Sequence, residues 1–395
     1  MMVSGNRVRK ISLLALSLCA LALLLSGAHT GAREQTNGPQ TQSASQTKTT
    51  APQQTPTPTP NPLTQEPPPP KPYVKPKPTP KPEDEAVDEG DVVRVNSNLV
   101  VVPVSVTDNA GQPVLGLKMQ DFLLQEEGKK QEIAQMGDPE QVPLEIAVLL
   151  DVSGSVDARF DFERHAAASF LKQVLKPIDR ATVFTIGQQP RLEQARDTAE
   201  RASNKLVTLQ PAKGPTAFFD TVIDAAHYLS QNTPPQHRRV ILVISDGDDN
   251  YSEKIKKAIG ATREEQEAVT VSAKQKIYNR AIAEVGREVQ SADAVFYSIN
   301  PSGDPLHINI AATRAQNGME QLSEATGGSS FVPERIEDLE KVFRQITNEL
   351  RSQYLLQYYS GDESPSGKFL RIKVAVPTRA ELRIRARQGY YPKRK

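Results

Sequence analysis

Three oxygen-bearing side chains, Asp151, Ser153 and Ser155, stand at alternate positions directly after an aliphatic run, Leu144 to Leu150. Ser245-Asp246-Gly247 closes a second aliphatic run that starts at Arg239. Between them, Lys213-Gly214-Pro215-Thr216 opens a segment with helical apolar spacing. Hydroxyls and carboxylates are hard ligands, and a set without His or Cys suits Mg²⁺ (or Mn²⁺ or Ca²⁺) and disfavours Zn²⁺ or Cu²⁺. Asp151, Ser153, Ser155, Thr216 and Asp246 are therefore candidate ligands of one divalent cation. Alone, Asp151-Val152-Ser153 also fits a simpler part, an Asx turn that caps the next helix.

The same residues are poor candidates for catalysis. A Ser nucleophile wants a Gly-x-Ser-x-Gly elbow and a His partner. Neither Ser153 nor Ser155 has that setting. An aspartyl phosphatase would usually carry a second Asp where Ser153 stands. His165, His227, His237 and His307 are scattered, with no pair at helical metal spacing. Gly327-Gly328 reads as a helix stop and not as a phosphate cradle. The expectation is a binding site and no enzyme, with a metal-dependent hydrolase as a minor alternative.

The elements that position these residues follow from periodicity. The runs at 144–150 and 239–244 are mostly aliphatic, with Glu145 and Arg239 the exceptions, as in strands buried on both faces of a parallel sheet. Ala181–Gly187 and Ala294–Ile299 read the same way. Apolar residues at helical spacing fill Phe160–Leu175, Ala217–Leu229 and Ile336–Leu350. The charged segment from about 255 to 290 predicts an insertion or a surface helix pair. Strands alternating with helices give an α/β fold, a doubly wound, mostly parallel sheet flanked by helices. Its ligands belong at the carboxyl ends of the strands.

The flanks have a different period. Leu99–Thr107 is rich in β-branched residues, and Pro103 suggests an edge or a bulge. Residues 122–133 read as a hairpin turning at Gly128, and 354–359, 369–376 and 381–387 as antiparallel-type strands. The economical arrangement is one small antiparallel β-sandwich, residues 92–142 with 352–395, into which the α/β domain at 143–351 is inserted. Two separate β units are the alternative.

Arg7, Arg9 and Lys10 precede an apolar run, Ile11 to Leu25, and small residues follow. Residues 1–28 read as a signal peptide, with an uncleaved anchor as the alternative. Residues 29–91, rich in Pro, Thr and Gln, read as a disordered linker that cannot bury a core. The expected location is secreted, periplasmic or cell surface, with membrane attachment only if the N-terminal segment stays uncleaved. The chain has 48 basic and 47 acidic residues, a net charge of +1, and no dense basic stripe with interleaved aromatics, so nucleic acid is not an expected partner. The single cysteine, Cys19, lies in the apolar leader.

Asp-x-Ser-x-Ser after a buried strand, then a distant Thr, then an Asp ending the next long apolar strand, resembles a von Willebrand factor type A domain over about residues 143–350. The five residues resemble its metal-ion-dependent adhesion site. Asp121-Phe122, Glu127-Gly128 and Ala386-Arg387-Gln388-Gly389-Tyr390-Tyr391 resemble bacterial exported proteins of the VWFA-related family. The resemblance implies that Ser153 and Ser155 ligate directly and that Thr216 ligates directly or through water. Asp151 and Asp246 would act mainly through waters. The cation then keeps much of its charge and an open position for the acidic side chain of a protein partner. Such a protein serves adhesion or envelope assembly, and a scaffold with a non-essential metal is the second reading. Pro215 departs from the commoner pattern and stiffens its loop. The adjacent site of integrin β chains has no counterpart at Ala158 and Arg159. Asp157, Asp248 and Asp249 read as a solvated acidic rim.

Overall fold

Alternating parallel strands and helices build the centre of the protein, seen in a computed structural model that describes residues 98–153, 158–260, 262–303, 310–361 and 367–392. The signal peptide and linker expected at 1–91, together with Ser155, Asp157 and His307, lie outside the described residues. Six strands form the central sheet: β5 (Leu144–Asp151), β6 (Arg180–Ile186), β7 (Arg191–Asp197), β8 (Arg238–Ile244), β9 (Ala294–Ile299) and β10 (Ser330–Phe331). Their order is β10-β9-β8-β5-β6-β7, parallel except for β7 at one edge. The aliphatic runs take the middle because β5 and β8 are flanked by strands and covered by helices on both faces. On one face lie α1 (Ala158–Val174), α2 (Ala199–Thr208) and α8 (Leu339–Ser352). On the other lie α3 (Phe218–Asn232), α4 (Glu253–Ile259), α6 (Val271–Ser291) and α7 (Ile310–Thr326). The short α5 (Arg263–Ala268) has no buried residue.

The expected surface insertion at 255–290 is corrected by this packing. Tyr278, Ala281, Ile282, Val285 and Val289 of α6 are buried in the core beside α3 and α7. Their i, i+3, i+4, i+7 spacing is that of a layer helix. Chain order also fixes where a ligand can enter. From β5 the chain winds to β6 on one side, then crosses to β8 on the other. The winding reverses between β5 and β8, and the crevice at a switch point of this kind is the usual ligand position of open α/β sheets.

Strands from both flanks share two four-stranded sheets. One has the order β13 (Arg383–Ala386), β1 (Asn98–Thr107), β11 (Tyr354–Ser360), β4 (Ile133–Gly137). The other has the order β14 (Gly389–Tyr390), β12 (Leu370–Ala375), β2 (Leu123–Glu126), β3 (Lys129–Gln131). Val102, Val104, Leu124, Leu356, Leu370 and Ile372 form one core between them. Pro103 is not on an edge strand and makes no bulge. It pairs with Leu355, while β13 begins its ladder one residue later, at Val104, so the missing N–H faces no acceptor. The β2–β3 turn uses Glu127 and Gly128, both with positive φ, the combination that a two-residue hairpin of matching twist requires. In the core, the Glu126 carboxylate accepts from the hydroxyls of Tyr358, Tyr390 (3.0 Å) and Ser360 (2.8 Å).

The sandwich meets the α/β layers through buried polar groups. Glu349 of α8 is 4% exposed. Its carboxylate accepts from Ser105 of β1 (3.0 Å) and Tyr297 of β9 (2.8 Å), and it pairs with Arg385 of β13. Arg387 reaches Asp293 and the carbonyl of Val101 (2.7 Å). Where the segment after α7 runs under β9, a Cβ added at Gly328 would lie 2.0 Å from the carbonyl oxygen of Phe296. Backbone cannot retreat as a side chain can. Gly328→Ala is expected to destabilise at the upper end of the roughly 1–3 kcal/mol that overpacking costs, read as a lower urea midpoint.

Candidate metal centre

β5 and β8 are parallel neighbours in register, Leu150 opposite Ile244, so Asp151 and Ser245 emerge together at the sheet's carboxyl edge. The Asp151 carboxylate receives three hydrogen bonds. Its Oδ1 accepts from the backbone N–H (2.9 Å) and the hydroxyl (2.6 Å) of Ser153, and its Oδ2 from the hydroxyl of Ser245 (2.6 Å). The first of these is the Asx turn; the other two go beyond it. Burial pushes the Asp151 carboxyl above its ordinary range, Ser153 and Ser245 pull it back, and nearby Asp246 adds to the rise. A half-buried, partly compensated carboxylate at a strand end is a place where a cation would be stabilising.

The Thr216 loop is stitched to both neighbours. The N–H of Ala212 donates to the carbonyl of Val152 (2.6 Å), and that of Ala217 to Gly187 at the end of β6 (2.7 Å). The Thr216 N–H donates to Oδ1 of Asn250 (2.9 Å), and its carbonyl accepts from the N–H groups of Asn250 and Tyr251 (3.1 Å each). Thr216 is buried and Asp246 exposed. Asp246 accepts from the N–H of Asp248 (3.0 Å). Gly247 sits at φ 76° over Met319, whose methyl would be 2.8 Å from an added Cβ, so only Gly turns the chain here. Asp151, Ser153, Thr216 and Asp246 are thus brought to one edge by three interlinked loops.

The acidic-rim reading fails for Asp249, which is fully buried. It accepts from the N–H of Phe219 at the start of α3 (2.7 Å), the N–H of Ser252 (3.0 Å) and the Ser252 hydroxyl, and so ties the Asp246 loop to α3. Asp248 is half-buried. Sequence reasoning gives Ser245 and Asn250 no role and reads Asp249 as solvated. The available signal was Ser245, a polar side chain ending a strand that is otherwise aliphatic.

Burial pushes Asp249 up to about 6, against 3.8 ordinarily. Between those values the folded state holds a proton that the unfolded state has released. Stability therefore falls as pH rises from about 4 to about 6, by up to about 3 kcal/mol. Asp249→Asn is expected to lose this slope in urea midpoints measured across that window.

The hydroxyl geometry fits a hard cation. Because Ser153 donates its proton to Asp151, its oxygen keeps only lone pairs to offer outward. Among the described residues no three His, Cys, Asp or Glu side chains gather as a metal cage, so a cation here would depend on hydroxyls. Residues 146–248, which span the site from the middle of β5 to Asp248, match the family described as von Willebrand factor type A domain. The chain contains a von Willebrand factor type A domain.

No curated protein matches the chain. Solved structures similar to it include an aerotolerance-related membrane protein from Bacteroides fragilis, 13% identical over 52% of this chain and 98% of that one, TM-score 0.36. Another is a von Willebrand factor type A protein from Catenulispora acidiphila, 16% identical over 65% and 51%, TM-score 0.38. A third is proximal thread matrix protein 1 from the mussel byssus with a zinc-occupied metal-ion-dependent adhesion site, 12% identical over 58% and 50%, TM-score 0.40. The chain spans about half the length of the last two. Among the described residues no helix is long and apolar enough to cross a membrane.

Proposed function

We propose that the von Willebrand factor type A domain of this chain holds one divalent cation, Mg²⁺ or a similar hard ion, and binds a protein partner through it. Asp151, Ser153, Ser155, Thr216 and Asp246 are the assigned ligands, and an acidic side chain of the partner takes the open position. The observation that carries this reading is the Asp151 carboxylate, whose bonds orient the Ser153 and Ser245 hydroxyls at the switch point. With neutral hydroxyls nearest the ion and carboxylates mostly one shell out, the ion keeps enough charge to attract a carboxylate. The reading assigns no turnover. The three described histidines make their polar contacts elsewhere: His165 with the carbonyl of Asp161, His227 with Glu288, and His237 with Glu145. The N-terminal sequence pattern places the chain outside the cytoplasm in this reading.

Cation-dependent capture of a partner tests it. Binding present in Mg²⁺ is expected to vanish in EDTA and in Asp246→Ala. Capture unchanged by EDTA would sink the reading.

A further inference from the structure

The outer face of the β14-β12-β2-β3 sheet has no use in the cation site. Its inner face is fixed by Leu124, Glu126, Leu370, Ile372 and Tyr390, all buried. Strand alternation then places Phe369, Arg371 and Lys373 on the outer face of β12. Pairing carries the pattern sideways. Lys373 lies opposite Gln125, and Gln125 opposite Lys130. Next to Leu370, which pairs with Tyr390, stand Phe369 and Tyr391, whose rings are 5.1 Å apart. Gly389 leaves room for the Phe369 ring, which an added Cβ would meet at 2.4 Å.

Lys130, Arg371 and Lys373 are exposed, and none has an ion-pair partner among the described residues. Some exposed cations elsewhere are paired, as in Arg263–Glu267, Arg344–Glu340, Lys257–Glu253 and Arg201–Asp197, and others such as Lys172, Lys213 and Lys341 stand singly among the described residues on helices and loops; here three unpaired cations share one sheet face. Glu127 stands at the hairpin end of the face, where its carboxylate accepts from the backbone N–H of Arg371 (2.6 Å). The charge is concentrated locally. Residues 352–395 hold ten Lys or Arg against three Asp or Glu, although the whole chain is nearly neutral at +1. Lys393, Arg394 and Lys395 follow Pro392 in that sequence.

We propose that this outer sheet face, with Lys130, Arg371, Lys373, Phe369 and Tyr391, docks the protein on an anionic lipid bilayer. Side chains two apart on a strand stand about 7 Å apart, and those two strands apart about 10 Å. The cations therefore form a planar array, which suits a plane of headgroups more than a single bound ion. Basic residues near an anionic leaflet add attraction one by one, and aromatic rings favour the headgroup level. The proposal is independent of the cation site.

Sedimentation with phosphatidylcholine vesicles, with and without phosphatidylglycerol, tests it in the full chain with EDTA present. Apolar N-terminal residues would bind both vesicle types alike, and Arg7, Arg9 and Lys10 would add the same amount in wild type and variants, so the readout is the phosphatidylglycerol increment of the wild type minus that of each variant. That increment is expected in the wild type and to fall roughly a hundredfold in K130Q/R371Q/K373Q. These positions are exposed, and an unchanged thermal transition confirms the fold; K130E/R371E/K373E should lower the increment further than the glutamine variant does. An increment retained by both variants would overturn the proposal and leave the lysines as guards against edge pairing. So would a wild type without the increment that binds duplex DNA instead.

Discussion

Replacing Glu349 by Leu is expected to cost about 3–5 kcal/mol of stability, the range for breaking a buried charged network by removing one partner. The carboxylate serves three elements at once. Without it, Ser105 of β1, Tyr297 of β9 and Arg385 of β13 lose their common acceptor, and the first two are buried. Burial first, and Glu349 second, keep the Tyr297 hydroxyl protonated, so its buried O–H needs an acceptor. A loss of that size is a large part of the roughly 5–15 kcal/mol that holds a typical domain. Urea unfolding followed by far-ultraviolet circular dichroism checks it. Because the lost bonds join the sandwich to the α/β layers, the variant should uncouple them into separate transitions or unfold outright. A midpoint close to wild type would show that the layers stand without this joint.

The second large effect concerns affinity. Asp151→Ala is expected to weaken Mg²⁺ or Mn²⁺ binding about 10–100-fold, the usual cost of losing a group that orients metal ligands. Its effect on the metal-free fold should be smaller, because two terms oppose each other. The Ser153 and Ser245 hydroxyls lose an acceptor, but a carboxylate whose burial already raises its pKa is removed. A cooperative thermal transition with lost cation binding is the expected pair of results. Full affinity in Asp151→Ala would remove Asp151 from the site.

Much of this arrangement was legible in the sequence, for reasons that individual elements make clear. β5 and β8 are aliphatic over unbroken runs, Ile146–Leu150 and Val240–Ile244, because both faces are covered; a solvated face would have put polar residues at every second place. β7, by contrast, reads Arg-Leu-Glu-Gln-Ala-Arg-Asp; it is an edge strand with two register shifts, half in solvent, and carries no clear period. α6 hides an apolar stripe among charges, and its length and polarity pointed to the surface. It is core because α3 and α7 cover that stripe. At the site, Asp151, Ser153, Thr216 and Asp246 could be found because each follows or opens a legible element. Asp249 and Asn250 could not. Their partners are backbone groups of residues 216 and 219, about thirty positions away, and a run of acidic residues in sequence does not reveal which one turns inward.

A hydroxyl-lined cation with an open position is the centre of the proposed function. Water-proton relaxation of Mn²⁺ titrated with the full chain reports binding and retained water together. The expected result is an enhancement that saturates at a single Mn²⁺ per chain and is absent from a folded Thr216→Ala/Asp246→Ala variant. No enhancement in the wild type, or an equal one in the variant, would contradict it.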